Sequence, residues 1–342
     1  MFPADHGAHP DTRIEWWYLT GTVTSAIANG ASVLDAASAS ADRFGFQITF
    51  FRSRTPVAAD QPSRFAAKQL LFAHAALTDL KRGRLQHDQR IARSGFGIAE
   101  AATSDTAVSL RDWGLVREAR DGGSRYRARV ASDSASFAFD FSVDTTQPLL
   151  LQGDAGYSRK GPQPEQASHY YSQPQLAVSG TLKRDGVAQP VRGTAWMDHE
   201  WSDSLLDADA VGWDWIGMNL ADGSTLTAFR LRRADGGTLY AGGSFRAAGG
   251  AMRNFSADEV SFTPGRVWTS PASRARYPVE WTIATPAGRY RVKTLLDAQE
   301  LDSRSSTGAI YWEGLSELQD EAGRRVGLGY LEMTGYSGKL SL

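Results

Sequence analysis

Phe44-Gly45-Phe46-Gln47-Ile48-Thr49-Phe50 places a large apolar side chain at every second position. Of the regular structures, only a strand sends alternate side chains to opposite faces with that period. Phe137, Phe139, Phe141 and Val143 repeat the pattern against Ala138, Asp140 and Ser142, so two strands, each with one buried face, can be read directly. Further strands are expected over residues 225–232, 289–295 and 327–334. Asp121-Gly122-Gly123, Asp185-Gly186, Asp222-Gly223 and Asp235-Gly236-Gly237 lie between the runs, and Asp-Gly pairs suit hairpin turns that need positive φ at both central residues. No stretch carries helical periodicity with a cap and a stop. The chain is expected to be all-β and antiparallel.

Its 342 residues exceed one ordinary core, so two domains are expected, 1–204 and 205–342. The first would close with a hairpin about Asp185-Gly186, whose return strand carries the Trp196–Trp201 run. The second would open near Trp213. Residues 25–42, rich in Ala and Ser, read as a hairpin loop, and Gly161-Pro162-Gln163-Pro164-Glu165-Gln166 as irregular chain.

Charge is balanced, with 37 Lys and Arg against 38 Asp and Glu, so no basic face offers itself to nucleic acid. No apolar run approaches the ~18 residues of a membrane span. With no cysteine in the chain, disulfides, thiolate metal sites and cysteine nucleophiles are excluded. The N-terminal stretch Met1-Phe2-Pro3-Ala4-Asp5-His6 carries no charged and apolar leader. It fits either a cytoplasmic protein or a periplasmic or secreted one whose signal peptide has been removed.

The chemistry concentrates in Trp196-Met197-Asp198-His199-Glu200-Trp201 and Gly212-Trp213-Asp214-Trp215. Burying unpaired charge is costly, so acids and an imidazole between indoles mark a site rather than plain core. Alternation puts Asp198 and Glu200 on one face and His199 with Trp201 on the other. Asp214 should face away from Trp213 and Trp215. Indole faces stabilise cations, and carboxyl or imidazole groups move protons. The candidate catalytic residues are therefore Asp198, His199 and Asp214, with Trp196, Trp201, Trp213 and Trp215 as walls. Tyr170 and Tyr171 are candidates to orient a polar group, and His6, His9 and Trp17 to line the pocket. His6 and His9 with Glu15 are weak as a metal set because no zinc-type spacing is present, so no metal and no cofactor are expected. Glu313 and Glu332 read as structural, with Arg230 or Arg232 as partners. A serine-hydrolase elbow and a phosphate-binding glycine loop are both absent.

Phe2-Pro3, Asp5-His6-Gly7-Ala8-His9-Pro10, Glu15-Trp16-Trp17-Tyr18, Tyr170-Tyr171-Ser172, Asp198-His199-Glu200-Trp201-Ser202, Gly212-Trp213-Asp214-Trp215, Tyr311-Trp312-Glu313-Gly314 and Gly329-Tyr330 onward to Tyr336 together resemble the AttH-type proteins, a family related to carotenoid hydratase. The resemblance implies two lipocalin-like β-barrel domains with a cavity near their junction. It further implies cofactor-free chemistry on a hydrophobic, isoprenoid- or polyketide-like small molecule, by acid-assisted hydration or cyclisation. The hydratase pattern of a His and a Trp two apart followed by an Asp falls on His199, Trp201 and Asp214. The tyrosine expected just before that Asp is replaced by Gly212 and Trp213. The resemblance also implies a location outside the cytoplasm beside an ABC-type transport system. Two other readings stay open, a non-catalytic carrier of lipid or hydrophobic metabolite and a secreted hydrolase. The surroundings of His199 discriminate, since an ion-pair network there favours the carrier.

Overall fold

The computed structural model describes residues 2–26, 42–57, 60–204 and 206–339, so most of the expected loop over 25–42 lies outside the described residues. The described residues form antiparallel strands and a single short 3-10 turn, Ala4–His6, with no α-helix. Among the described residues no helix is long and apolar enough to cross a membrane.

The first, 13-stranded sheet is drawn from strands between Ile14 and Ser202, and the second, 10-stranded sheet from strands between Ala210 and Met333. The expected strands appear as Arg43–Arg54, Phe137–Asp144, Thr225–Arg233, Gly288–Thr294 and Arg325–Met333. At the hairpin tip between Arg184 and Val187, Asp185 has φ 49° and Gly186 φ 82°, the positive pair that the Asp-Gly dipeptide supplies at low strain.

The first sheet curls until its inner face closes on itself. Three strands separate Arg43–Arg54 from Phe137–Asp144 in the sheet. Yet the Phe46 and Phe141 rings meet across the interior at 5.0 Å. Phe44, Phe46, Ile48, Phe50, Phe137 and Phe139 all point into this core, as the period of two requires. Arg90 bridges the remaining gap, donating from Nη2 to the Ala131 carbonyl at 3.1 Å and lying 4.3 Å over the Trp113 ring. The result is a nearly closed, lipocalin-like barrel. Ile216, Met218, Trp281, Ile283, Trp312 and Leu331 form the core of the second sheet.

A third apolar cluster joins the two bodies, with Tyr18 and Trp196 from the first sheet against Trp215, Phe229, Leu315 and Tyr330 from the second. The strand Val187–Ser202 consequently has interior on both sides over its last eight residues. Ala195 and Met197 belong to the first core and Trp196 to the junction. A strand buried on both faces normally reads as a continuous apolar run. Here the polar exceptions, Asp198, His199 and Glu200, are all buried.

Candidate functional site at the junction of the two sheets

On the barrel side of this strand His199 sits in a hydrogen-bonded network beneath the N-terminal segment. Register places Trp17 opposite His199 and Glu15 opposite Trp201 on the neighbouring strand Ile14–Ser25. His199 Nε2 lies 2.9 Å from Glu15 Oε1, and His199 Nδ1 lies 3.2 Å from the Tyr171 hydroxyl. That hydroxyl is also 2.9 Å from His6 Nδ1. Glu15 further accepts from His9 Nδ1 at 2.8 Å and from Arg52 Nε at 2.8 Å. Trp17 stacks on His199 with 4.8 Å between centroids, and Trp201 stacks on His9 at 3.7 Å.

Burial alone would raise Glu15, but hydrogen bonds from His199, His9 and Arg52 outweigh it and bring its carboxyl down to about 2. Burial lowers His199 against the pull of Glu15, and burial with Arg117 lowers His6 to about 4. At neutral pH this is an ionised carboxylate beside the neutral His199 imidazole. The His199 Nε2 proton is committed to Glu15 and Nδ1 accepts from Tyr171, so His199 has no proton to spare. Donor atoms of His9, Glu15 and His199 lie within 4.8 Å of one another, a spacing that a metal ion could use. The Arg52 guanidinium already supplies the positive charge on that carboxylate, so the set fits a hydrogen-bonded ion pair better than a dication.

The junction side carries the other chemistry. Asp198 Oδ1 accepts from Ser172 Oγ at 2.5 Å and from Trp196 Nε1 at 2.7 Å. Burial pushes the Asp198 carboxyl up to about 7. Bonds from Ser172, Trp196 and Tyr170 work against the rise, while the Glu200 charge adds to it. Glu200 accepts from Ser168 Oγ and lies 3.1 Å from the Lys160 ammonium. Tyr170 accepts from Trp215 Nε1 at 3.3 Å, and burial holds its phenol well above the ordinary range. Trp213 Nε1 donates to Glu332 Oε2 at 3.0 Å, and burial, with Asp198 and Glu200 nearby, lifts Glu332 to about 7. Glu313 stands directly opposite Glu332 in the register and takes Gln47 Nε2 at 2.6 Å. Burial and the Glu332 charge push it well up.

Along Tyr170 opens a small cleft with a cavity volume of about 50 Å³, whose walls come from different sheets and include none of these acids. Gln152, Arg159 and Tyr170 face Thr227, Phe229 and Tyr240 across it. The Lys160 ammonium hangs at its edge, 4.4 Å over the Tyr170 ring and 4.6 Å over Phe229.

The structure therefore divides the residues singled out from sequence. His6, His9, Trp17, Tyr171, His199 and Trp201 gather on the barrel side, while Tyr170, Trp196, Asp198, Trp213 and Trp215 gather at the junction. Asp214 joins neither group. It faces away from both neighbouring indoles and is held by Arg230 Nε at 2.7 Å, Arg232 Nη1 at 3.0 Å and the Tyr336 hydroxyl at 2.8 Å. Those arginines were expected to serve Glu313 and Glu332. They pair with Asp214 instead, because all three side chains stand on the same face of adjacent strands, where Asp214 is opposite Arg230. Sequence reasoning gave no chemical role to Arg52, Ser172 or Lys160 and left Glu15 as a weak metal ligand. Glu313 after Tyr311-Trp312 and Glu332 within Tyr330-Leu331-Glu332-Met333 carried a local signal, an acid in an apolar run, but were read as structural.

A nearly closed antiparallel barrel and a second antiparallel sheet, packed through an aromatic and acidic junction, define a lipocalin-like all-β protein. Residues 1–336 match the AttH-like family model, and the chain belongs to that family. A candidate AttH from Nitrosomonas europaea is 46% identical, covers 98% of this chain and 97% of its own, and superposes with a TM-score of 0.87. Kievitone hydratase from Nectria haematococca shares the fold at 16% identity, with 99% and 93% coverage and a TM-score of 0.72. CghA does so at 13% identity, with 95% and 88% coverage and a TM-score of 0.53. No curated protein matches the sequence.

Proposed function

We propose that this chain is a cofactor-independent enzyme of the hydratase or cyclase type, acting on a hydrophobic, isoprenoid- or polyketide-like molecule in the junction cleft. The observation that carries this reading is Asp198, a buried carboxyl raised to about 7 between Trp196, Ser172 and Tyr170. A group near 7 is both protonated often enough to donate and weak enough as a base to release its proton. Tyr170 stands between the acid and the cleft, so its hydroxyl gives a proton to one carbon of an alkene and takes the Asp198 proton in its place. Positive charge develops on the neighbouring carbon only as water or a second double bond closes on it, because the Lys160 ammonium already occupies the Tyr170 and Phe229 faces. The proton lost from the added water or the new ring then returns through Tyr170 to the Asp198 carboxylate. Kievitone hydratase, which shares the fold, is by its name a hydratase. The location outside the cytoplasm and the ABC-type partner stay part of this proposal, to be read by cell fractionation and co-purification.

The test is turnover of an isoprenoid extract in heavy-oxygen water, read by mass spectrometry. Addition of one heavy oxygen without fragmentation is expected, and Asp198→Asn should abolish it. Undiminished product from Asp198→Asn would overturn the assignment, and labelled fragments would indicate hydrolysis instead. A carrier is the second reading, favoured by the ion-pair network that holds His199. It predicts a ligand retained with unchanged mass and unaltered chromatographic mobility.

A further inference from the structure

The cleft carries more polar chemistry than an alkene requires. Arg159 and Lys160 stand side by side at its edge, the Arg159 guanidinium 5.6 Å over the Tyr240 ring. Its Nη2 donates to the carbonyls of Gly161 and Pro162, and no carboxylate among the described residues pairs with it. Among the described residues Lys160 has one carboxylate partner, Glu200. Deeper in, Thr227 Oγ1 lies on the cleft wall, buried and without a hydrogen-bond partner. Nearby, Gly242 and Gly243 keep the wall flat. A Cβ at Gly242 would fall 2.9 Å from the Phe229 ring, and one at Gly243 2.2 Å from the Thr227 carbonyl.

We propose that the cleft binds a flat, unsaturated molecule bearing an acidic oxygen group, a carboxylate, enolate or phenolate. This deepens the function proposed above and rests on the cleft being the substrate site. The apolar body lies between Tyr170, Phe229 and Tyr240, the acidic oxygen meets Arg159 and Lys160, and Thr227 Oγ1 bonds a second polar atom. A cationic ligand is excluded on the same observations. The aromatic cage that would hold it already contains the Lys160 ammonium, and Arg159 would repel it. An anion finds a guanidinium with carbonyl partners only, and charge-assisted bonds to Arg are strong and directional. Binding also has a consequence for the acid. Drawing Lys160 toward the ligand lengthens its contact with Glu200, whose charge favours the protonated form of Asp198. Substrate thereby loads the acid it will use.

The matched probes naphthalene-2-carboxylate and naphthalene-2-methanol, titrated calorimetrically against the full chain at pH 8, separate charge from shape. The carboxylate should bind about tenfold tighter, as one hydrogen bond to a charged group implies. Arg159→Gln and Lys160→Met should each cut that preference several-fold while leaving the alcohol's affinity unchanged, and Lys160→Arg should restore it. Equal affinities in the natural chain, no binding of either probe, or a preference that survives both substitutions would overturn the inference. Asp198→Asn should keep the preference. A carboxylate preference with no product would therefore count against the chemistry alone, and product without a preference against this inference alone.

Discussion

Replacing Asp198 by Asn should make the protein more stable at alkaline pH while removing its activity. The side chain is almost wholly buried, at 3% exposure, and its carboxyl is raised from the ordinary 3.8 to about 7. A carboxyl raised on folding is held protonated in the native state after the unfolded chain has already released its proton. Its contribution is therefore fully present below the unfolded value and is lost as pH climbs through the folded value. At about 1.4 kcal/mol per pH unit, the gap between 3.8 and about 7 amounts to about 4 kcal/mol lost between pH 4 and pH 8. Asn has nearly the shape of the protonated acid, and its amide oxygen can accept the same bonds from Ser172 and Trp196. It does not titrate. Urea unfolding at pH 4 and pH 8 should show the two proteins close together at the lower pH, and the variant ahead by several kcal/mol at the higher. Parallel stability curves across that range would refute the claim that Asp198 is a buried, largely protonated acid, and with it the proton donor.

Glu15→Gln should lower stability at pH 7 by about 3–5 kcal/mol, read from the denaturant midpoint, because Arg52 would remain buried without its carboxylate. In the natural protein the Glu15 contribution is present above pH 4.5 and is lost as pH falls through about 2. Asp214→Asn should register as a loss of stability of about 3 kcal/mol with kcat retained once folded, since Arg230 and Arg232 lose their counter-charge on the strand face opposite the junction indoles. His74, lowered by burial from 6.5 to about 3, is neutral when folded, so stability should fall as pH drops below 6.5, by up to about 5 kcal/mol near pH 3. His74→Gln should flatten that acid limb in a thermal-melt series.

Much of the fold was legible because strand alternation is a local property. The Phe44–Phe50 and Phe137–Val143 runs declare their buried faces without reference to anything else in the chain. Asp185-Gly186 announces its turn in the same way. The opposite directions of Asp198 and His199, and of Asp214 and its indoles, also follow from period alone. What alternation cannot say is which residue waits across the gap. Glu15 and His199 are 184 positions apart, and their bond follows from how the first sheet closes. Asp214 looked like a partner for His199 because both lie in one acidic, Trp-rich stretch, yet the chain passes from one sheet to the other between them. Lys160 reaches the site from a Pro-rich loop whose composition signals only irregular structure.

Because Val187–Ser202 is a party wall between two rooms, its odd and even positions answer to different tenants. Met197, His199 and Trp201 serve the barrel, whereas Trp196, Asp198 and Glu200 serve the junction. Even-numbered positions can drift toward new substrates without disturbing barrel closure, and odd-numbered ones can be repaired without altering the chemistry. The same economy makes the strand intolerant of insertion or deletion. Adding or removing one residue ahead of Trp196 would exchange the rooms, sending the acid into the barrel and the imidazole to the cleft. Sequence change in this lineage should therefore run through substitution within the strand and length variation only beyond its ends.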